Sequence, residues 1–141
     1  MIMDDWLFLA DSQTTTTSVI STNVVDTQAG GDSYEGAWFV VRANALFTAS
    51  GSPNVSWELR SSSVEAFSSD IVTLCACVTV GALTEGQFVK VRIGPGAKRY
   101  IAGYKDVTNY SSGSIEYDTC DYDMFIVKDT EIPKEAPNNL A

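Results

Sequence analysis

Histidine is absent from the chain. This removes the imidazole that most often serves as a general base near neutral pH and the commonest nitrogen ligand of zinc. Cysteine occurs three times and proline four times in 141 residues, so neither a disulfide framework nor a proline-rich linker organises the sequence. Three thiols leave at least one unpaired in an oxidising compartment, which fits synthesis in a reducing cytosol. Positive charge is also scarce. Nine basic residues stand against 18 acidic ones, a formal charge of -9, which repels phosphate backbones and anionic lipid headgroups. Neither nucleic acid nor membrane is expected as a partner. The apolar run from Trp6 to Ala10 is too short for a membrane span or a signal-peptide core, and Asp4 and Asp5 stand where a signal peptide carries basic residues. No export signal is expected.

What the chain does have is apolar alternation with a period of two. Hydrophobic residues make up 45% and aromatics 11% of it, enough for the core of one domain. In PNVSWELRS, Val55, Trp57 and Leu59 share one face of a strand, while Asn54, Ser56, Glu58 and Arg60 share the other. In GAWFVVRANALF, Phe39, Val41, Ala43, Ala45 and Phe47 form the apolar face, with Trp38, Val40, Arg42 and Asn44 opposite. IVTLCACVTV places Val72, Leu74, Ala76, Val78 and Val80 on the core side, and GQFVKVRIG places Val89, Val91 and Ile93 there. SVISTNVV, KRYIAGYKDV and Ile115 to Val127 add further strands, with a bulge or a sheet edge expected near Asp118 to Asp121. Turn chemistry at Ala29 to Asp32, Gly51-Ser52-Pro53, Gly81, Gly94-Pro95-Gly96 and Ser111-Ser112-Gly113 separates the runs. The expectation is an all-β chain of seven or eight strands, either a two-sheet sandwich or a jelly roll. Residues 1–17 read as an N-terminal arm, 18–128 as the β domain and 129–141, which carry Pro133 and Pro137, as an extended C-terminal tail.

Several constellations suggest chemistry, and each has a plainer reading. Cys75 and Cys77, two apart on a strand, project to one side. Structural zinc needs four ligands, and only Cys120 is left to join them, so half-buried thiols are expected instead of a metal site. Asp118, Asp121 and Asp123 with Glu116 are rich in oxygen but match no calcium loop, and charge on an edge strand explains them. GPGAKR around Lys98 lacks the Gly-Lys-Ser/Thr order and the following helix of a phosphate loop. No nucleophile elbow is present, and pairing Glu58 with Glu116 as catalytic carboxylates has no support from spacing. Neither enzymatic activity nor a cofactor is expected. A sugar-binding face is the competing possibility, because Trp38, Tyr100, Tyr104, Tyr110, Tyr117 and Tyr122 supply rings, and Tyr100 and Tyr104 share a strand face with Lys98, Ala102 and Asp106.

Taken in order, STNVVD at Ser21 to Asp26, WFVVRANALF, GSPNVSWELRSS, VEAFSS at Val64 to Ser69 and the GAKRYIAGYK segment resemble the capsid cement, or decoration, proteins of short-tailed bacteriophages. The resemblance covers residues 18 to 107 and rests on the order and spacing of these segments. It implies a jelly-roll protein without catalytic activity, assembled in the host bacterial cytoplasm and held on the outer surface of an icosahedral head. There it would bridge major capsid proteins as a homo-oligomer, a dimer in preference to a trimer. A negative body suits the exterior, since packaged DNA would repel it from the interior. Within that picture Trp6, Leu7, Phe8 and Leu9 are the expected capsid or subunit contact, each large apolar side chain contributing about 1.5 to 3 kcal/mol when buried. A glycan-binding decoration or receptor-adhesion module is the alternative.

Overall fold

The structure is a computed structural model and describes residues 6–14, 18–28, 34–48, 53–80, 83–109 and 120–127. Among the described residues nine strands make up the regular elements: β1 (Trp6–Gln13), β2 (Val19–Ile20), β3 (Val25–Asp26), β4 (Trp38–Ala43), β5 (Pro53–Ser62), β6 (Ile71–Val80), β7 (Phe88–Arg92), β8 (Tyr100–Asn109) and β9 (Tyr122–Val127). They form a four-stranded sheet in the order β1-β9-β4-β7 and a second sheet in the order β2-β8-β5-β6, with β3 also paired to β8. Every pairing is antiparallel.

Taking β2 and β3 as two halves of one interrupted strand leaves eight. The first pairs with the eighth, the second with the seventh, the third with the sixth and the fourth with the fifth. This is a long nested hairpin folded over itself, the connectivity of a jelly roll, so the two architectures left open by spacing resolve to that one. The core lies between the sheets. Val55, Trp57 and Leu59 are fully buried, and Phe39, Val41, Ala43 and Phe47 line the facing sheet. Trp57 is packed against Phe47 and Tyr122, with the Tyr122 ring centroid 5.2 Å away, and its Nε1 donates to Thr79 Oγ1 at 3.0 Å. Ala45 is exposed, because β4 ends at Ala43.

The N-terminal arm reading is corrected for residues 6–13, which are an integral strand. Trp6 to Phe8 pair with Val127 to Phe125, and Ala10 and Gln13 pair with Met124 and Tyr122 across two register shifts. Those shifts, and Ser12 at φ 54°, break the alternation that would have marked a strand. Leu9 and Ala10 belong to the core, both fully buried.

A second correction concerns β6. Leu59 pairs with Cys75 and Arg60 with Thr73, so Leu74 is an extra residue at a bulge. Beyond it the inward set becomes Cys75, Cys77 and Thr79, opposite Leu59, Trp57 and Val55. Ala76 and Val78, expected in the core, are exposed, Val78 at 62%. The thiols therefore face the core side, opposite to the expected placement. Gly94 seats the β7–β8 connection on this bulge: its amide donates to Leu74 O, and a Cβ there would lie 2.8 Å from the same oxygen.

The third correction is the acidic run. β9 is an interior strand between β1 and β4, buried on both faces, so Asp123 is not an edge charge. Residues 110–119, including Tyr110, Glu116, Tyr117 and Asp118, and the expected tail of 129–141 lie outside the described residues.

Candidate interaction surfaces

Three surfaces carry the side chains that sequence reasoning singled out. The first is the outer face of the four-stranded sheet. Val40, Phe88, Phe125 and Val127 form a second buried cluster there, with Phe8 and Trp38 packed against it. Of the expected contact residues, Phe8 stacks at 5.4 Å on Phe125, Leu9 points into the domain's own core, and Trp6 and Leu7 pair through their backbones with Val127 and Ile126. The side chains of Trp6 and Leu7 lie outside the described residues. Alternation along β1 therefore puts Phe8 and Leu9 on opposite sides of the sheet, so the four side chains do not act as one anchor.

Three of the nine cations decorate the same face. Arg92 and Lys90 lie 4.3 and 5.1 Å from the Trp38 ring centre, and Arg42 lies 5.8 Å from that of Phe125. Asp123 anchors its polar end. One carboxylate oxygen accepts from Arg42 Nη2 at 2.6 Å, and the other accepts from the Ser12 amide at 2.7 Å and Asn44 Nδ2 at 2.8 Å. These bonds tie β1, β9 and the end of β4 together. A carboxylate with this many donors is compensated for its burial.

The second surface is a cleft of about 280 Å³ on the outer face of the second sheet, lined by Val19, Ile20, Arg60, Phe67, Ile71 and Tyr104 among others. Tyr104, which alternation put on one strand face with Tyr100, lies half-buried on this outer face. Its ring is covered by the Arg60 guanidinium 3.7 Å above it, and Arg60 Nε donates to Glu58 Oε1 at 2.7 Å. The overhanging β5–β6 connection holds two non-glycine residues in the left-handed region, Phe67 at φ 52° and Asp70 at φ 55°. Asp70 accepts from Ser63 Oγ at 2.5 Å and pairs with Lys98, and these two partners hold its carboxyl below the usual carboxylate range. Nearby, the Arg99 guanidinium and the Gln28 amide do the same for Asp26. Lys98 and Arg99, read as part of a turn, are surface ion-pair partners at this end of the sheet.

The third surface is a sheet edge. Among the described residues, β1 is interrupted by register shifts, β2 and β3 have two residues each, and β7 is five residues long with Lys90 and Arg92 on it. β6, at the end of the second sheet, runs for ten residues without a charged side chain and presents Ile71 (41% exposed) and Val78 at the surface. Edges left long, uncharged and free of proline are templates for pairing with another strand.

No disulfide joins the three cysteines. Burial pushes the Cys75 thiol up to about 12 and raises Cys77 and Cys120 as well. Among the described residues no cluster of three or more cysteine, aspartate or glutamate side chains has metal-ligand geometry, and no helix is long and apolar enough to cross a membrane. Sequence reasoning missed Lys105, which sits on the core face of β8, fully buried, with Nζ 3.6 Å from Cys120 Sγ and 4.8 Å from the centre of the Tyr122 ring. A lysine at an inward alternation position, between Gly103 and Val107, was its only signal.

The Bbp16 family model matches residues 9–116. Among solved structures, one described as the structure of infectious bursal disease virus Gx strain matches at 11% identity with a TM-score of 0.31. The match covers 91% of this chain and 32% of that chain, so the present chain spans about a third of the other's length. No curated protein matches.

Proposed function

This chain belongs to the Bbp16 family, and from that premise we propose that it is a virion structural protein acting as capsid cement. In this reading the jelly roll lies on the outside of the head, bridges neighbouring major capsid proteins as a homo-oligomer, and performs no reaction. The observation that carries it is the β6 edge: ten consecutive residues without charge, on a protein whose net charge is -9, offer backbone hydrogen bonds and the Ile71 and Val78 side chains to another strand. Repulsion between two such acidic bodies is weakest where neither carries charge. The resemblance of residues 18 to 107 to phage cement proteins supports the same reading. Thiols whose pKa values are raised, as in half-buried Cys75 and Cys77 and buried Cys120, are poor nucleophiles, which agrees with a role carried by contact alone.

A protein that binds the assembled shell and not its separated parts stabilises the shell by mass action, by about 2.7 kcal/mol per site at 100 times the dissociation constant. Modest contacts repeated over a lattice suffice. Glycan binding is less well supported, because three of the candidate rings among the described residues already carry a cation: Tyr104 has Arg60, Trp38 has Arg92 and Lys90, and Tyr100 has Arg99 at 5.1 Å. The deciding experiment mixes purified protein with heads that lack it and images them by electron microscopy. Density bridging capsomers is expected. Heads that stay bare, with binding on a glycan array instead, would overturn the cement reading.

A further inference from the structure

Of the cations among the described residues, Arg42, Arg60, Lys98 and Arg99 each pair with a carboxylate, and Lys105 is buried. Lys90 and Arg92 differ: among the described residues neither has a carboxylate within ion-pair distance. On a chain with 18 acidic and nine basic residues, two surface cations without an acid are unexpected. They are also neighbours. Standing two apart on β7, they leave the sheet on one face, and they lie 5.1 and 4.3 Å from the centre of the Trp38 ring on β4. Arg92 is exposed, and Lys90 and Trp38 are half-buried. Arg92 is held in place: its Nη1 donates to the Gly36 carbonyl at 2.7 Å, and Gly36 sits at φ 82° in a turn closed by the Ala37 amide on the Tyr34 carbonyl. That backbone angle favours glycine. A guanidinium fixed in this way loses less freedom on meeting a partner, and its fork has further N–H donors for a carboxylate.

We propose that the row of Lys90, Trp38 and Arg92 docks an extended acidic segment of another polypeptide, laid along β7 with carboxylates at alternate positions. Among the described residues β7 is the end strand of its sheet, and such edges accept extended peptides. Alternate side chains of an extended segment stand about 6.5 Å apart, the spacing at which Lys90 and Arg92 stand too, so each carboxylate meets a cation. Charge selects the occupant. A body at -9 repels an acidic segment except beside cations that lack acids of their own, and a nucleic acid would carry its phosphates past two cations onto the acidic body. The assignment rests on the reading of this chain as one that works by contact, and adds the partner's chemistry.

The test records amide and indole NMR spectra of the native protein during addition of a short peptide alternating threonine and glutamate. Shifts should concentrate at Lys90, Val91, Arg92 and the Trp38 indole. Affinity should fall about tenfold or more at about 1 M salt, where the screening length is about 3 Å. A matched threonine–lysine peptide and an oligothymidylate of equal length should bind at least as much more weakly. Lys90→Gln with Arg92→Gln should weaken the acidic peptide by a similar factor at an unchanged melting temperature. Unchanged spectra, shifts elsewhere such as β6, or equal binding of the lysine peptide or the oligothymidylate would overturn the proposal. So would the same signals moving on dilution of the protein alone, which would make a second copy the occupant. Should the double variant fail to fold, the native-chain titration still decides. Heads decorated by a protein that ignores the acidic peptide would refute this site and leave the cement reading standing; peptide binding with bare heads would do the reverse.

Discussion

Trp57 stands where alternation in PNVSWELRS put it, fully buried between Phe47 and Tyr122. The same local rule could not place Asp123, whose partners Ser12, Arg42 and Asn44 are between 79 and 111 residues away in sequence. An acidic run looks like surface until the donors that compensate it are known, and those donors come from pairings that only the folded sheet defines. The half-buried and buried thiols carry a measurable consequence. Cys75 ionises in the unfolded chain near its ordinary value of 9.0 but only about 12 in the fold, so the unfolded state binds fewer protons above pH 9 and stability falls as pH rises. Cys77, Cys120 and Tyr122, all shifted upward, act in the same sense; Lys105, shifted downward, opposes them. Each group contributes a slope of up to about 1.4 kcal/mol per pH unit between its unfolded and folded values. Urea melts at pH 8 to 11 should therefore show stability declining, and Cys75→Ser should remove about one group's share of that slope. An unchanged slope in the variant would mean that the Cys75 thiol is not desolvated in the fold.

Strands with unbroken alternation were legible, and strands carrying bulges were not. β5, β4 and β7 have the predicted inward residues, whereas one extra residue at Leu74 reverses every side chain of β6 after it. A single inserted residue leaves no mark in a pattern of small and β-branched side chains, because Cys, Ala, Thr and Val suit either face. β1 was harder still: WLFLADSQ mixes a continuous apolar run with two register shifts and reads as an arm. Its pairing to β9 makes a clear prediction. Removing residues 1–13 takes Leu9 and Ala10 from the core and the Ser12 amide from Asp123, and it turns the fully buried β9 into an edge. Loss of a buried leucine alone costs about 2 to 5 kcal/mol, against a typical total of about 5 to 15 for a domain. The truncated chain should lose cooperative unfolding by circular dichroism and aggregate. A shortened protein that melts at the temperature of the full chain but no longer binds heads would restore the arm reading.

Taken together, the nested hairpin leaves the second sheet, among the described residues, with one long edge that carries no charge. Natural sheets blunt their edges with charge, proline, bulges or brevity; β7 has lysine and arginine, β1 has register shifts, and β2 and β3 are short. β6 has its one bulge at Leu74, under Gly94, and is otherwise regular from Cys75 to Val80. If that stretch is the seam between copies, a charge placed on its outward positions should block association without touching the core. Val78 is 62% exposed and Thr73 is exposed too, so Thr73→Lys with Val78→Lys removes little buried contact, and exposed substitutions of this kind usually change stability by within about 0.5 kcal/mol. The expected result is a variant with an unchanged melting temperature that elutes as a monomer in light-scattering chromatography, while the native chain elutes as an oligomer. An oligomer that survives both lysines would move the seam to another face, the cation-decorated outer face of the four-stranded sheet being the next to test.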